Sequence, residues 1–259
     1  MITINSIKNS KENLVMTTAY DATMAKLVDG IVDIILVGDS LGMVVQGHTT
    51  TIPVNLVHSM YHTECVSRVV KKSHVVGDLP FMSYQISPEQ ALKSAGKLMK
   101  SGAHAVKLEG GVAVADHIYK IVSAGIPVMG HIGLTPQSVH AFGGFKVQGK
   151  TDKSIKKLTA DLRAVRDAGA YSVVLECIPP DVAQVFTKTI SRIPTIGIGA
   201  GPHCNGQVLV STDLIGMTPD FNPKFVKKYG DVAREIRRSM LEFVSEVRSG
   251  EFPDKEHSF

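Results

Sequence analysis

The residues that could do chemistry recur at one kind of position, directly after short runs of Val, Ile and Leu. Charged side chains are rarely buried without a partner, so a series of them at the ends of apolar segments is costly unless they enclose something. Two or three carboxylates with one His and no Cys make an oxygen-rich site that suits a hard cation, Mg²⁺ above Zn²⁺, although Mn²⁺ tolerates the same ligands. The residues in question are Asp39 with Ser40, Asp78, Lys107 with Glu109, His131 and Glu176.

Each of these residues, taken alone, has a structural explanation. Asp39 or Asp78 could cap the helix that follows it, and His131 could be a satisfied core histidine. Lys107 could form a structural ion pair with a nearby glutamate. Independent caps and ion pairs have no reason to lie at the same end of five successive apolar segments. The series therefore favours a shared site.

A site of this composition predicts metal-assisted enolisation. A 2-oxo acid could chelate Mg²⁺ through its keto and carboxylate oxygens, which would polarise the carbonyl and stabilise an enolate. Glu176, which follows a different apolar run from the other carboxylates, would move the proton on the neighbouring carbon. Lys107 and His131 would hold the substrate carboxylate and the developing oxyanion.

Eight short apolar runs are predicted as the strands that position these residues. They are rich in Val, Ile and Leu without polar alternation, as expected for parallel strands covered on both faces. The predicted strands are 14–19, 33–37, 74–77, 103–108, 126–129, 171–175, 195–198 and 207–210.

Helices with readable ends lie between the predicted strands. Ser87 and Gln90 predict a capping box, with Pro88 at the first helical position. A second helix is predicted over 151–168, and a last one from Pro223 to about 248. The predicted buried stripe of the last helix is Phe225, Tyr229, Val232, Ile236, Met240, Phe243 and Val247.

The alternation of strands and helices without a linker predicts one α/β domain over 1–259, with residues 1–13 as an N-terminal extension. Eight strands in 259 residues favour a closed (β/α)8 TIM barrel over an open doubly wound sheet. An open sheet normally has a glycine-rich phosphate loop after its first strand, whereas the glycine-rich run 197–201 follows the seventh. In a barrel, catalytic groups lie at the C-terminal ends of the strands, where the ionisable series falls.

The bulk composition excludes several other classes of protein. The net charge of +4 is mild and the chain has no Trp, so the basic residues near its C-terminus indicate a solvated helix face and no nucleic-acid partner. The 3 cysteines are far apart and predict neither a disulfide framework nor a zinc site, which favours the cytoplasm. We find no signal peptide and no apolar stretch of ~20 residues, so no membrane segment is predicted.

Seven segments, in order along the chain, resemble the ketopantoate hydroxymethyltransferase family. The resemblance runs from about Leu14 to the C-terminus. The segments are TAYDATMAKL, DIILVGDSLGMVVQGHTTT, VVGDLPFMSY, AVKLEGG, PVMGHIGLTPQSVHAFGGFKVQGK, VVLECIPP and PTIGIGAG.

The resemblance implies a (β/α)8 barrel, Mg²⁺, and 5,10-methylenetetrahydrofolate as the one-carbon donor to 3-methyl-2-oxobutanoate. It also implies a homo-oligomer, commonly a decamer in this family. Asp39 and Asp78 match metal-ligand positions that also face the substrate, and Glu109 matches the third acidic residue of the metal site, acting through water. The remaining matches are Ser40, Lys107 and His131 at substrate-binding positions, and Glu176 at the acid/base position.

Two alternative functions remain open on the sequence. The first is a Mg²⁺-dependent 2-oxo acid lyase or mutase of the phosphoenolpyruvate/isocitrate lyase type, which typically carries a cysteine on a mobile loop. Cys177 directly follows Glu176, which counts against this alternative. The second is a non-catalytic barrel used as a scaffold, which would not need the convergent series and would show no metal dependence.

Overall fold

The computed structural model describes residues 1–190 and 193–259. The chain forms two compact units, Met1–Val210 and Ser211–Phe259. The expectation of one domain over 1–259 stays a prediction.

The first unit is a closed barrel of eight parallel strands in sequential order, with β8 paired to β1. This confirms the predicted (β/α)8 TIM-barrel fold. The strands are β1 (Leu14–Thr18), β2 (Ile34–Val37), β3 (His74–Asp78), β4 (Ala105–Lys107), β5 (Val128–Gly133), β6 (Ser172–Glu176), β7 (Thr195–Ile198) and β8 (Gly206–Leu209).

The predicted strands overlap all eight observed ones, and β5 differs most. It continues beyond the predicted end at 129, because its pairing with β6 extends to Gly133 opposite Glu176. His131 therefore lies within a strand and not in the connection after it. β4 is shorter than predicted because its pairing with β3 covers only Ala105–Lys107.

The described residues form eleven α-helices and two short 3-10 turns, Val112–Val114 and Pro136–Ser138. The helices are α1 (Ile4–Lys8), α2 (Ala22–Val28), α3 (Leu41–Val44), α4 (Leu56–Ser67), α5 (Pro88–Lys100), α6 (Ala115–Ser123), α7 (Val139–Phe142), α8 (Asp152–Asp167), α9 (Pro180–Thr189), α10 (Ser211–Leu214) and α11 (Val232–Ser249).

Successive residues of one strand pack into two different layers of the core. Ile34 and Leu36 of β2 belong to the cluster inside the barrel. Ile35 and Val37 belong to a cluster with Ala25 and other helix residues outside it. Both faces of the strand are therefore buried, which explains why its sequence lacks polar alternation.

The predicted extension 1–13 contains α1, whose Ile7 is fully buried in the cluster inside the barrel. The helix begins after Thr3, whose side chain accepts a hydrogen bond from the Ser6 N–H. The segment thus contributes to the barrel core.

The predicted capping box of α5 is only half formed. The Ser87 hydroxyl accepts a hydrogen bond from the Gln90 N–H, as expected for an N-cap. The Gln90 side chain, however, accepts from the N–H of Ile86 and not from that of Ser87. The helix predicted over 151–168 is confirmed as α8, with Thr151 as its N-cap.

The last helix, α11, differs from the prediction in its start and in its burial. It begins at Val232 and not near 223, because the N–H groups of Tyr229 and Val232 bond to the carbonyls of Leu214 and Ile215 instead of continuing a helix. The predicted buried stripe is wrong: no residue of α11 is buried, and Met240 is 61% exposed. Among the described residues, no helix is long and apolar enough to cross a bilayer.

Candidate active site

The six predicted ionisable residues of the site lie at the C-terminal ends of β2 to β6. Asp39 follows β2, Asp78 ends β3, and Glu176 ends β6. All but Glu176 have side chains that are almost fully buried. The remaining three are Lys107 at the end of β4, Glu109 two residues later, and His131 inside β5.

Asp78 and Lys107 form a buried ion pair. The Lys107 Nζ lies 2.8 Å from each carboxylate oxygen of Asp78. Burial lowers the pKa of Lys107, but the charges of Asp78, Glu109 and Asp39 outweigh it and hold that pKa above its ordinary value. The lysine is therefore a fixed positive charge in the site.

Asp39 and Glu109 are the two other buried carboxyl groups near Lys107. Burial raises the pKa of Asp39 to about 7, and the charge of Asp78 adds to the effect. Burial and the charge of Asp39 raise the pKa of Glu109 well above its ordinary value. With all three carboxyl groups ionised, the centre would carry more negative charge than the one ammonium group offsets, and this disfavours the charged forms of Asp39 and Glu109.

This donor set suits a divalent cation by its chemistry, because carboxylate oxygens are the ligands of Mg²⁺ and a second positive charge would offset the excess. Within residues 1–190 and 193–259, no three acidic, His or Cys side chains are grouped as a set that could hold a metal ion. The protein would supply few direct ligands, and Mg²⁺ commonly keeps several waters.

His131 lies between two carboxylates. Its Nε2 is 3.2 Å from the Glu176 Oε2, and its Nδ1 is 3.7 Å from the Glu109 Oε1. The Glu176 side chain is 16% exposed, whereas that of Glu109 is 3% exposed. Glu176 is therefore the carboxylate that an entering substrate reaches most readily.

Gly133 sets the spacing of β5 and β6 beside Glu176. Its φ is +97°, a conformation that favours glycine. A Cβ at position 133 would lie 2.2 Å from the Glu176 carbonyl oxygen. That oxygen accepts a hydrogen bond from the Leu134 N–H at 2.8 Å.

Ser40, the remaining predicted residue, directly follows Asp39. Its hydroxyl lies 2.8 Å from the hydroxyl of Tyr20, which follows β1. Tyr20 is almost fully buried, so the pair adds a polar contact to the same end of the barrel.

Sequence reasoning missed two buried polar residues of the site, Tyr84 and Gln137. The Gln137 Nε2 donates to the Asp39 Oδ2 at 2.9 Å. The Tyr84 hydroxyl accepts from the Glu109 N–H at 3.1 Å. Both lie in connections that follow strands, and the length of the connection between β5 and α8 was the available signal for Gln137.

The chain has eight parallel strands in a closed barrel, and a lysine, a histidine and four carboxylates lie at their C-terminal ends. This arrangement places it in the class of the (β/α)8-barrel enzymes. Within that class, the chain belongs to the ketopantoate hydroxymethyltransferase family, whose model matches residues 1–255.

Similar proteins include two that are named 3-methyl-2-oxobutanoate hydroxymethyltransferase. The protein from Syntrophus aciditrophicus is 51% identical over 258 residues, covering 99% of this chain and 94% of its own. The protein from Clostridium beijerinckii is 52% identical over 261 residues, covering 100% of this chain and 94% of its own.

Solved structures of low identity share the fold. A phosphonopyruvate hydrolase with oxalate and Mg²⁺ has a TM-score of 0.62 at 13% identity, covering 98% of this chain and 91% of that one. A 2,3-dimethylmalate lyase of the PEP mutase/isocitrate lyase superfamily has a TM-score of 0.63 at 17% identity, covering 98% and 90%. These identities show the fold alone. The lyase or mutase alternative is not favoured, because identity over the full length is to hydroxymethyltransferases.

Proposed function

We propose that this protein transfers a hydroxymethyl group from 5,10-methylenetetrahydrofolate to 3-methyl-2-oxobutanoate, giving 2-dehydropantoate for pantothenate biosynthesis. The observation that carries the proposal is the buried Asp78–Lys107 pair together with the His131–Glu176 contact at the same end of the barrel. Membership of the family supports the choice of substrate.

Asp39 and Asp78 would hold Mg²⁺ directly, and Glu109 would act through a water. The excess of buried carboxylate over ammonium supports this assignment. When bound, the cation supplies a Lewis acid that polarises a carbonyl group.

Glu176 would remove the proton on C3 of 3-methyl-2-oxobutanoate. Its carboxylate is the most accessible of the four, and His131 contacts it at 3.2 Å, which would orient it. The electron pair of the broken C–H bond would then form the new C–C bond to the methylene carbon of the folate. The two C–N bonds of the methylene carbon would break, and water would supply the hydroxyl group. The proton from C3 and one from water would go to the two folate nitrogens, and tetrahydrofolate would leave.

Lys107 and His131 would bind the substrate carboxylate and the developing oxyanion, with Ser40 as a further polar contact. A buried cation attracts an anionic substrate more strongly than an exposed cation does, because solvent screens its charge less. Lys107 is the charged residue of the site that fits this role, since it stays protonated next to three carboxylates.

The proposal extends to the state of the protein in the cell. We infer a cytoplasmic homo-oligomer, a decamer, that binds small molecules and neither nucleic acid nor membrane. Three free cysteines support a reducing compartment. The exposed apolar residues of α11, such as Met240 and Phe243, support self-association.

Proton NMR of 3-methyl-2-oxobutanoate in D2O tests the proposed function. The C3 proton should exchange with solvent when protein and Mg²⁺ are both present, and exchange should stop when a chelator is added. Methylenetetrahydrofolate should then give 2-dehydropantoate. Cation binding without exchange would redirect the search to the lyase and mutase substrates. Absence of both would leave the scaffold alternative.

A further inference from the structure

Gln137 is a buried polar residue at the acidic centre to which the sequence analysis assigned no role. It lies in the 3-10 turn Pro136–Ser138 after β5 and is 4% exposed. Glutamine is mostly exposed in proteins, and a buried amide is costly unless its hydrogen bonds are made. The contacts of Gln137 therefore need an explanation.

Two of these contacts go to the acidic centre. The Gln137 side-chain Nε2 donates to the Asp39 Oδ2 at 2.9 Å. The Gln137 backbone N–H donates to the Glu109 Oε2 at 3.0 Å. One residue thus holds one oxygen of each of two carboxylates that come from different strands.

The other contacts fix the amide in one orientation. The second Nε2 hydrogen goes to the Leu79 carbonyl at 2.9 Å. The Oε1 faces the Gln85 Nε2 at 3.0 Å and the Tyr84 hydroxyl at 2.9 Å. Both N–H bonds of the amide are therefore used, and its oxygen accepts from Gln85 and shares the single Tyr84 hydroxyl hydrogen with the Glu109 carbonyl. A flipped amide would turn its oxygen towards Asp39 and Leu79, which are both acceptors.

We propose that Gln137 is the positioning residue of the acidic centre, which sets the carboxylates of Asp39 and Glu109 for a divalent cation. The inference rests on the proposed function, because the cation belongs to it. Gln137 acts through Asp39 and Glu109 and is not itself a ligand. Replacing a residue that hydrogen-bonds to a metal ligand typically lowers the metal affinity about ten- to a hundredfold.

The substitution Gln137→Met tests the role of the side chain. Methionine has a similar length and no amide, and the backbone N–H to Glu109 is retained. Gln85→Met is the matched control, because Gln85 bonds to the same Oε1 but contacts neither carboxylate. The free Mn²⁺ signal in electron paramagnetic resonance gives the dissociation constant without substrate. Thermal unfolding of each variant reports on folding.

We expect Gln137→Met to bind Mn²⁺ about tenfold or more weakly than wild type. Gln85→Met should be affected much less, because the Tyr84 hydroxyl still contacts the Gln137 Oε1. Turnover of Gln137→Met should recover when Mg²⁺ is raised to saturation, which a general packing defect would not do. If Gln137→Met does not fold, Gln137→Asn, with an amide one methylene shorter, should weaken Mn²⁺ binding in the same direction.

Three outcomes overturn the inference. Wild-type affinity in Gln137→Met, with exchange of the C3 proton intact, removes the role of Gln137 and leaves the proposed function standing. Equal weakening in both methionine variants, without recovery at high Mg²⁺, assigns the effect to packing. A wild-type protein that binds no Mn²⁺ removes the cation from the proposed function, and the inference falls with it.

Discussion

At the scale of the residue, Glu176 differs from the other carboxylates of the site in its access to solvent. Its side chain is 16% exposed, and the Nε2 of His131 lies 3.2 Å from its Oε2. Asp39, Asp78 and Glu109 are instead buried around Lys107. This difference separates a carboxylate that an entering substrate can reach from three that are enclosed around Lys107.

Replacing Glu176 by Gln should lower turnover about a hundredfold or more, because the amide keeps the shape of the side chain and cannot accept the C3 proton. The rate of C3–H exchange in D2O should fall in parallel. Glu89→Gln on the exposed face of α5 is the control and should leave both rates unchanged. Near-normal turnover in Glu176→Gln would remove this residue from proton transfer.

A second prediction at this scale concerns pH and the base of the barrel. Burial lowers the pKa of His74 from 6.5 to about 4, and the neighbouring His104 adds to the effect. Between pH 4 and pH 6.5, His74 is therefore protonated in the unfolded chain and neutral in the folded protein. The contribution of His74 to the free energy of unfolding should be fully present above pH 6.5 and should be lost as the pH drops towards 4. The loss should be about 3 kcal/mol, at about 1.4 kcal/mol per pH unit.

Denaturant unfolding of wild type and His74→Gln across this pH range measures the effect. The variant should lose less free energy of unfolding on acidification than wild type. His203→Gln, on an exposed residue, should follow wild type. Parallel losses in His74→Gln and wild type would show that another group is responsible.

At the scale of the element, the caps of the barrel helices contribute separately from the site. The Ser87 hydroxyl accepts from the Gln90 N–H at 3.1 Å at the start of α5. Ser87→Ala should lower the free energy of unfolding by about 1 kcal/mol, and Ser87→Asp should retain most of it. Thermal or denaturant unfolding checks both, and an alanine variant as stable as wild type would contradict the role of the cap.

The sequence predicts the strands well because their signal is local. A run such as that of β2 is apolar at every position, since both of its faces are buried. The end of β5 is not local, because its continuation to Gly133 depends on pairing with β6. The same holds at the site: the position of Asp39 after a strand is readable in the sequence. The contact of Asp39 with Gln137 joins residues 98 positions apart and needs the fold.

At the scale of the whole molecule, the amphipathic pattern of α11 predicts an apolar face without specifying what covers it. Ile236, Met240, Phe243 and Val247 share that face, and all four are exposed. The periodic pattern was correct, and the inference that the same chain buries this face was wrong. A partner copy would explain the pattern equally well.

Met240→Glu should therefore reduce the mass of the particle in size-exclusion chromatography with light scattering. A charge in the middle of a buried apolar contact is costly. Ser245→Glu, on the opposite side of α11, is the control and should leave the mass unchanged. An unchanged mass in Met240→Glu, with a wild-type circular dichroism spectrum, would exclude this face as the oligomer contact.

Gly133 has a consequence for how this enzyme can be altered. No L-residue with a side chain fits at position 133 without moving the carbonyl of Glu176. A library that randomises the residues around the site would therefore gain nothing by including this position, although it pairs with Glu176, the proposed acid/base residue. Variation in substrate range has to come from other positions around the site. The register of β5 and β6 thus leaves evolution no alternative to glycine at this position.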